Sequence, residues 1–255
     1  LSVLQAQPRN QLSTKTLLLF AWPVALGKII ATVLLSFEAT LIPRQLVKAG
    51  ISLTEATALF GQLSGMALPI LVIPSVFTTA LATTLVPAIA EATSTRNPLL
   101  LRERIKKSLF FTILLGLPAM VIFHLFSSQI CYILFKQIKA GEALQVLAFG
   151  GIFYYLQQTT TGILQGLGQP KKPLENMLWG SIIEIIFLLL FVPGATNPFI
   201  FSCWAINISF CITSILNLLY VIKQVGIEGL LEAKTILLVP GVILMSFIAY
   251  YTFSY

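Results

Sequence analysis

The sequence predicts an all-α protein, a polytopic bundle of about seven membrane-crossing helices, and three observations predict it. Of the 255 residues, 57% are hydrophobic and only 10% charged, with a mean hydropathy of +0.91, where a soluble domain carries roughly a quarter charged residues. The apolar residues form long continuous runs, not the short alternating ones of a β-barrel. Those runs reach or exceed the roughly 20 residues a helix needs to cross hydrocarbon. The predicted spans are roughly 17–43, 57–90, 108–126, 140–166, 175–193, 198–222 and 235–254.

Residues 1–16, "LSVLQAQPRNQLSTKT", are polar and lack both an initiating Met and a signal-peptide pattern. They read as a cytoplasmic lead-in of a chain cut from something longer. Span 1 carries Lys28 and Glu38, each costly in the bilayer by roughly 2.5–3.5 kcal/mol and so expected to face a cavity or a partner. Lys28, Thr32 and Ser36 fall at i, i+4 and i+8, a polar stripe on one helix face. Glu38, nearer the span's end, could instead reach interfacial water.

Span 2 contains "GMALPILVIPSVFTTALATTLVPAIAEA". Each of Pro69, Pro74 and Pro87 removes a backbone donor and displaces a carbonyl, which predicts a kinked or hinged helix facing protein or a cavity. Ser75, Thr79 and Thr83 form a second stripe at i, i+4 and i+8. Each hydroxyl could line a pathway or bond a carbonyl of its own helix. The span is long for one crossing and is expected to begin as a helix outside the bilayer core. After span 3, "SSQICYILFK" reads as a short interfacial segment, and His124 as interfacial.

Span 4, "GEALQVLAFGGIFYYLQQTTTGILQGLG", places Gln158, Thr161 and Gln165 on one face, where they could meet a sugar or bond another helix. Gly162 and Gly166 form a GxxxG that permits close helix approach, and Gly61 and Gly65 another. Glu184 in span 5 and Lys28 each sit about 15 Å from the start of their spans at 1.5 Å per residue, so the two are expected to be level and able to pair.

Loop charge sets the expected orientation. With the N-terminal end inside, the inner loops hold Arg9, Lys15, Arg96, Arg102, Arg104, Lys106, Lys107, Lys171, Lys172, Lys223 and Lys234, and the outer loops only Arg44, Lys48, Lys136 and Lys139. An odd number of crossings then leaves the C-terminal end outside. The same asymmetry accounts for the net charge of +7 without nucleic acid. The cluster Arg102, Arg104, Lys106 and Lys107 is expected to anchor the protein at lipid headgroups or to meet a pyrophosphate.

Much chemistry is excluded. There is no Asp, all nine acidic residues are Glu, and His124 is the only His. Metal sites of His/Asp type, Ser-His-Asp triads and aspartyl dyads therefore cannot be built, and no metal, cofactor or enzyme activity is expected. Cys131, Cys203 and Cys211 form no CxxC and read as small buried hydrophobes.

The stretch "LFGQLSGMALPILVIPSVFTTALATTLVPAIAEA" followed by "GILQGLGQPKKP" resembles the stage V sporulation protein B type of polysaccharide exporter. That type belongs to the multidrug/oligosaccharidyl-lipid/polysaccharide superfamily, with the MurJ-type lipid II flippases. The resemblance implies the C-terminal lobe of a MATE-like transporter fold: a six-helix lobe over 17–222, then a loop and one further helix over 223–255, with the N-terminal lobe absent. It implies a multi-pass protein of the bacterial cytoplasmic membrane that moves a polyprenyl-pyrophosphate-linked sugar, with a peptidoglycan precursor as the expected cargo. The expected mechanism is alternating access between two lobes, without a cofactor and driven by an ion gradient or the membrane potential. The expected partners are the bilayer, the lipid-linked sugar and the missing lobe. The rival readings are a cation-coupled multidrug antiporter using Glu38 or Glu184, and a non-transporting scaffold for cell-wall or spore assembly.

Overall fold

The computed structural model describes residues 14–226, apart from the side chains of 14–21 and residue 23. The seventh predicted span and most of the 223–255 segment lie outside the described residues. Helix α1 (Thr14–Lys48) is followed by α2 (Leu53–Gln62), a π-helical turn (Leu63–Ala67), α3 (Leu68–Val72) and α4 (Ser75–Ser94). Then come α5 (Pro98–Leu125), α6 (Ser127–Phe135), α7 (Lys139–Gly166), α8 (Lys171–Leu190) and α9 (Pro198–Val225). Asn97 and Asn197 cap α5 and α9 by accepting from the N–H groups of Leu100 and Ile200, and each is followed by a proline at the first helical position, where no donor is lost.

Six of these stretches are long and apolar enough to cross a membrane: Val24–Lys48, Leu53–Val72, Ser75–Ser94, Pro98–Leu125, Lys171–Leu190 and Pro198–Val225. The second and third are successive halves of one bent path. Leu71 lies against Gly151, Ala82 against Gly162 and Ile89 against Gly166, so α3 and α4 ascend α7 in a single direction without reversing at Pro74. α7 is itself 28 residues long, about 42 Å, and counts as the sixth path despite its polar face. The described bundle thus has the first six predicted spans, with α2 continuing past the start of α7 as the expected extension of span 2.

The core has two apolar ends and a polar waist. One end packs Ile42, Leu46, Leu63, Ala67, Leu144 and Leu147, and the other packs Leu85, Ile89, Ile105, Ile163, Leu164 and Val221. Between them the hydroxyls of Thr112 and Thr159 meet at 2.6 Å, and within the first end the Asn207 amide donates to the Val146 carbonyl at 2.7 Å. Helix association in lipid lacks a hydrophobic drive, so such bonds and small residues carry it. Gly162 and Gly166 do so as predicted: a Cβ on Gly162 would lie 2.7 Å from the Ala82 carbonyl oxygen. Gly61 and Gly65 do not, since a Cβ on either meets nothing within 4 Å among the described residues.

Candidate functional site

The prolines of span 2 act at two places. Before Pro69 the helix widens into the π turn Leu63–Ala67, closed by the Leu68 N–H on the Leu63 carbonyl. At Pro74 it tightens, with Ile73 N–H bonded to Ile70 and Val76 N–H to Ile73. The carbonyls displaced there find side-chain donors: Ser75 Oγ donates to Val72 at 2.7 Å, and the Tyr155 hydroxyl, from α7, donates to Leu71 at 2.7 Å. Helix α4 runs unbroken through Pro87. Tyr155 was not marked by the sequence, because an aromatic within an apolar run looks like core.

Below that kink a groove of about 480 Å³ opens between α1, α4, α7 and α8. Helix α1 supplies Gly27, Lys28 and Ala31, α4 supplies Thr79 and Thr83, and α7 supplies Gln157, Gln158, Thr161 and Gln165. Pro173, Leu174 and Met177 of α8 close the far wall. The geometry therefore gathers Lys28, Thr79, Thr83, Gln158, Thr161 and Gln165, which the sequence placed on three separate spans. Thr161 is held from behind by Asn217 at 3.5 Å, itself bonded to Asn176 at 2.8 Å. No carboxylate or aromatic ring lines the groove among the described residues.

Three predicted path residues stand elsewhere. Ser75 is buried at the kink, while the exposed hydroxyls of Thr32 and Ser36 donate to the carbonyls of Lys28 and Thr32. Even Thr83, at the groove, bonds the Ala80 carbonyl at 2.8 Å. Gln157 was missed beside Gln158. It lines the groove, and its Oε1 is buried without a hydrogen-bond partner.

The expected pairing of Lys28 with Glu184 is not formed, and Lys28 makes no ion pair among the described residues. The cause is register: Gly27 lies beside Leu174, so an equal ascent of α1 and α8 brings Glu38, not Lys28, to the level of Glu184. Glu184 is 4% exposed, with Glu38 as its charged neighbour and the Ser209 hydroxyl as a hydrogen-bond partner. Its Oε1 has no partner.

The basic cluster is divided. Arg102 Nε donates to the Val225 carbonyl at 3.1 Å, clasping the start of α5 to the end of α9. Lys107 pairs with Glu103 at 2.6 Å, while Arg104 is exposed. Of the cysteines, Cys131 and Cys203 are buried; burial pushes the Cys131 thiol up, away from the reactive thiolate.

A family model described as MatE matches residues 62–190, which takes in the kinked path and the groove residues of α4 and α7. Stage V sporulation protein B of Bacillus subtilis (strain 168) is 29% identical over 164 residues, 64% of this chain and 31% of that protein. Sporulation protein YkvU of the same organism is 26% identical over 171 residues, covering 67% and 38%. The chain thus spans about a third of the length of these curated relatives. Among solved structures, an outward-facing multidrug resistance MATE family transporter of the MOP superfamily superposes with a TM-score of 0.66 at 17% identity, over 84% of this chain and 46% of that one. A MOP superfamily transporter from Pyrococcus furiosus Vc1 (DSM3638), whose binding pocket is described as having reverse polarity, gives 0.67 at 17% identity over 86% and 48%. Each likeness is one of fold, over about half of the matched chain.

Proposed function

The chain belongs to the MatE family, and from that membership we propose that it is the C-terminal lobe of a flippase for a polyprenyl-pyrophosphate-linked saccharide, with a peptidoglycan precursor as the cargo. The observation that carries this reading is the groove's chemistry: Lys28, a cation without an ion pair among the described residues, sits among the amides of Gln158 and Gln165 and the hydroxyls of Thr79, Thr83 and Thr161. Lys28 supplies charge for a phosphate, and the amides and hydroxyls bond sugar hydroxyls in both donor and acceptor roles. A lipophilic cationic drug would ask for a carboxylate and aromatic faces instead. Transport of this kind needs a hydrated cleft, a bent helix and a second lobe to close against, and no reacting group. The lobe works in the bacterial cytoplasmic membrane with α1 entering from the inside, where Arg104, Lys106 and Lys107 meet headgroups.

The test is flipping of a fluorescent polyprenyl-pyrophosphate sugar in proteoliposomes, by a full-length version that joins this lobe to an N-terminal one. Loss of flipping in Lys28→Ala, with unchanged melting, supports the assignment. Flipping indifferent to that change removes Lys28 from the path. No flipping in the unaltered protein turns the assignment towards an antiporter or a scaffold.

One observation favours a second reading, the cation-coupled antiporter. Glu38 of α1 and Glu184 of α8 are electrostatic neighbours, and one buried Glu184 carboxylate oxygen has no partner among the described residues. A transported cation would answer both the like-charge contact and the unbonded oxygen.

A further inference from the structure

Helix α6 has no part in the groove or the kink. At nine residues it is about 14 Å long, far short of a crossing. The chain breaks at Phe126 (φ −110°, ψ 17°) before α6 begins, at the end of the bundle remote from the Arg102 clasp. Its course is lateral. A helix folding back antiparallel along α7 would carry Ser128 well up that neighbour, yet Ser128 packs against Gly141, in the first turn of α7; a Cβ on Gly141 would lie 2.6 Å from the Ser128 Cα.

The first half of α6 faces the bundle: Ser127 and Cys131, at i and i+4, are buried, Ser128 meets Gly141 and Ile130 packs against the core. The exposed residues of this segment are mainly apolar, with Gln129 and Gln137 beside them: Ile133 is 69% exposed, Leu134, at the overhanging end of the helix, 58%, and Ile138 just beyond the helix 60%. Cations flank this ridge. Lys136 ends the helix in the left-handed conformation (φ 58°) and sets its ammonium 4.9 Å above the Tyr132 ring, and exposed Lys139 opens α7. Short length, a lateral course, an apolar ridge, a tyrosine and two lysines together fit a bilayer surface, where aromatic rings settle at headgroup level and lysines meet phosphate.

We propose that α6 is an interfacial helix, lying in the plane of the membrane surface with Ile133, Leu134 and Ile138 among the acyl chains and Lys136 and Lys139 against acidic phospholipid headgroups. The apolar side then sits roughly 5–10 Å below the phosphates.

The experiment places a nitroxide at Ile133→Cys in the full chain, with Cys131, Cys203 and Cys211 replaced by Ala. The protein is reconstituted in phosphatidylcholine vesicles with or without phosphatidylglycerol. Oxygen against nickel-chelate accessibility should report a shallow depth in the acyl region, and phosphatidylglycerol should immobilise the label further, an effect lost in Lys136→Gln with Lys139→Gln. An Ile133→Trp chain, which keeps the native cysteines, should be quenched more by shallow than by deep brominated lipid. A label in water, a label at the bilayer midplane, a label shielded from both relaxants by another protein surface, or indifference to phosphatidylglycerol would each overturn the proposal.

Discussion

The hydroxyl of Tyr155 donates a 2.7 Å hydrogen bond to the backbone carbonyl of Leu71, across the interface between α7 and the bent path that contains Pro74. Tyr155 is fully buried. It therefore satisfies an acceptor that the proline kink has displaced from its own helix, in a place where no water can substitute. Tyr155→Phe keeps the ring and strands the carbonyl, so stability should fall by about 1–3 kcal/mol. Denaturant unfolding of the reconstituted protein checks this; an unchanged midpoint would show that the carbonyl finds another donor.

Close packing of α4 against α7 yields a paired prediction. Gly162→Ala drives a methyl into Ala82 backbone atoms at 2.7–2.8 Å, which neither helix can yield without separating, at a cost of about 1–3 kcal/mol. Gly61→Ala meets nothing within 4 Å among the described residues and removes helix-interior glycine, so it should be neutral or stabilising by up to about 1 kcal/mol. Melting temperatures of the two variants should move in opposite directions or differ clearly. Equal losses would contradict the packing.

How much of this was legible in the sequence depends on the kind of relationship. The six described membrane-crossing paths and the polar face of α7 follow from hydrophobic length and a 3.6-residue period, and Gln158, Thr161 and Gln165 do share the groove. Periodicity fixes the side of a helix and says nothing about its height against a neighbour. Lys28 was consequently matched to Glu184, whereas the Gly27–Leu174 contact sets a register that brings Glu38 there. By periodicity Ser75 continues the Thr79–Thr83 stripe, but the kink at Pro74 turns its hydroxyl onto the Val72 carbonyl. The role of Tyr155 had no sequence signal of its own, since its partner is a backbone carbonyl.

The groove separates Lys28 from the rest of its stripe. Lys28 lines it, while Thr32 and Ser36 lie outside, bonded to their own helix. In the full-length flipping assay Lys28→Gln should lower the rate by tenfold or more, the equivalent of about 1.4 kcal/mol or more of lost interaction. Thr32→Val should leave it within about twofold. Both should melt as the unaltered protein does, because an exposed lysine without an ion pair contributes little to folding. Equal effects of the two substitutions would mean that cargo follows the whole α1 stripe and not the groove.

The carboxylates decide between the two transport readings. Glu184 and Glu38 are electrostatic neighbours outside the lining of the groove, with one Glu184 oxygen lacking a partner among the described residues. Glu184→Gln keeps the shape and the oxygen bonded to Ser209 while removing the like-charge contact, so folding should be unharmed. If the groove alone handles a lipid-linked anion and the membrane potential drives it, flipping should persist in Glu184→Gln and in Glu38→Gln, with unchanged dependence on imposed Na⁺ or proton gradients. An antiporter requires the reverse: each neutralisation should abolish gradient dependence, because a cation held by the pair must lose at least half of the charge that retains it. Measuring gradient-driven flux of the sugar lipid and of a cationic dye in the same vesicles distinguishes the two. Dye flux lost in both glutamate variants but kept in Lys28→Gln would move the functional centre from the groove to the Glu38–Glu184 pair.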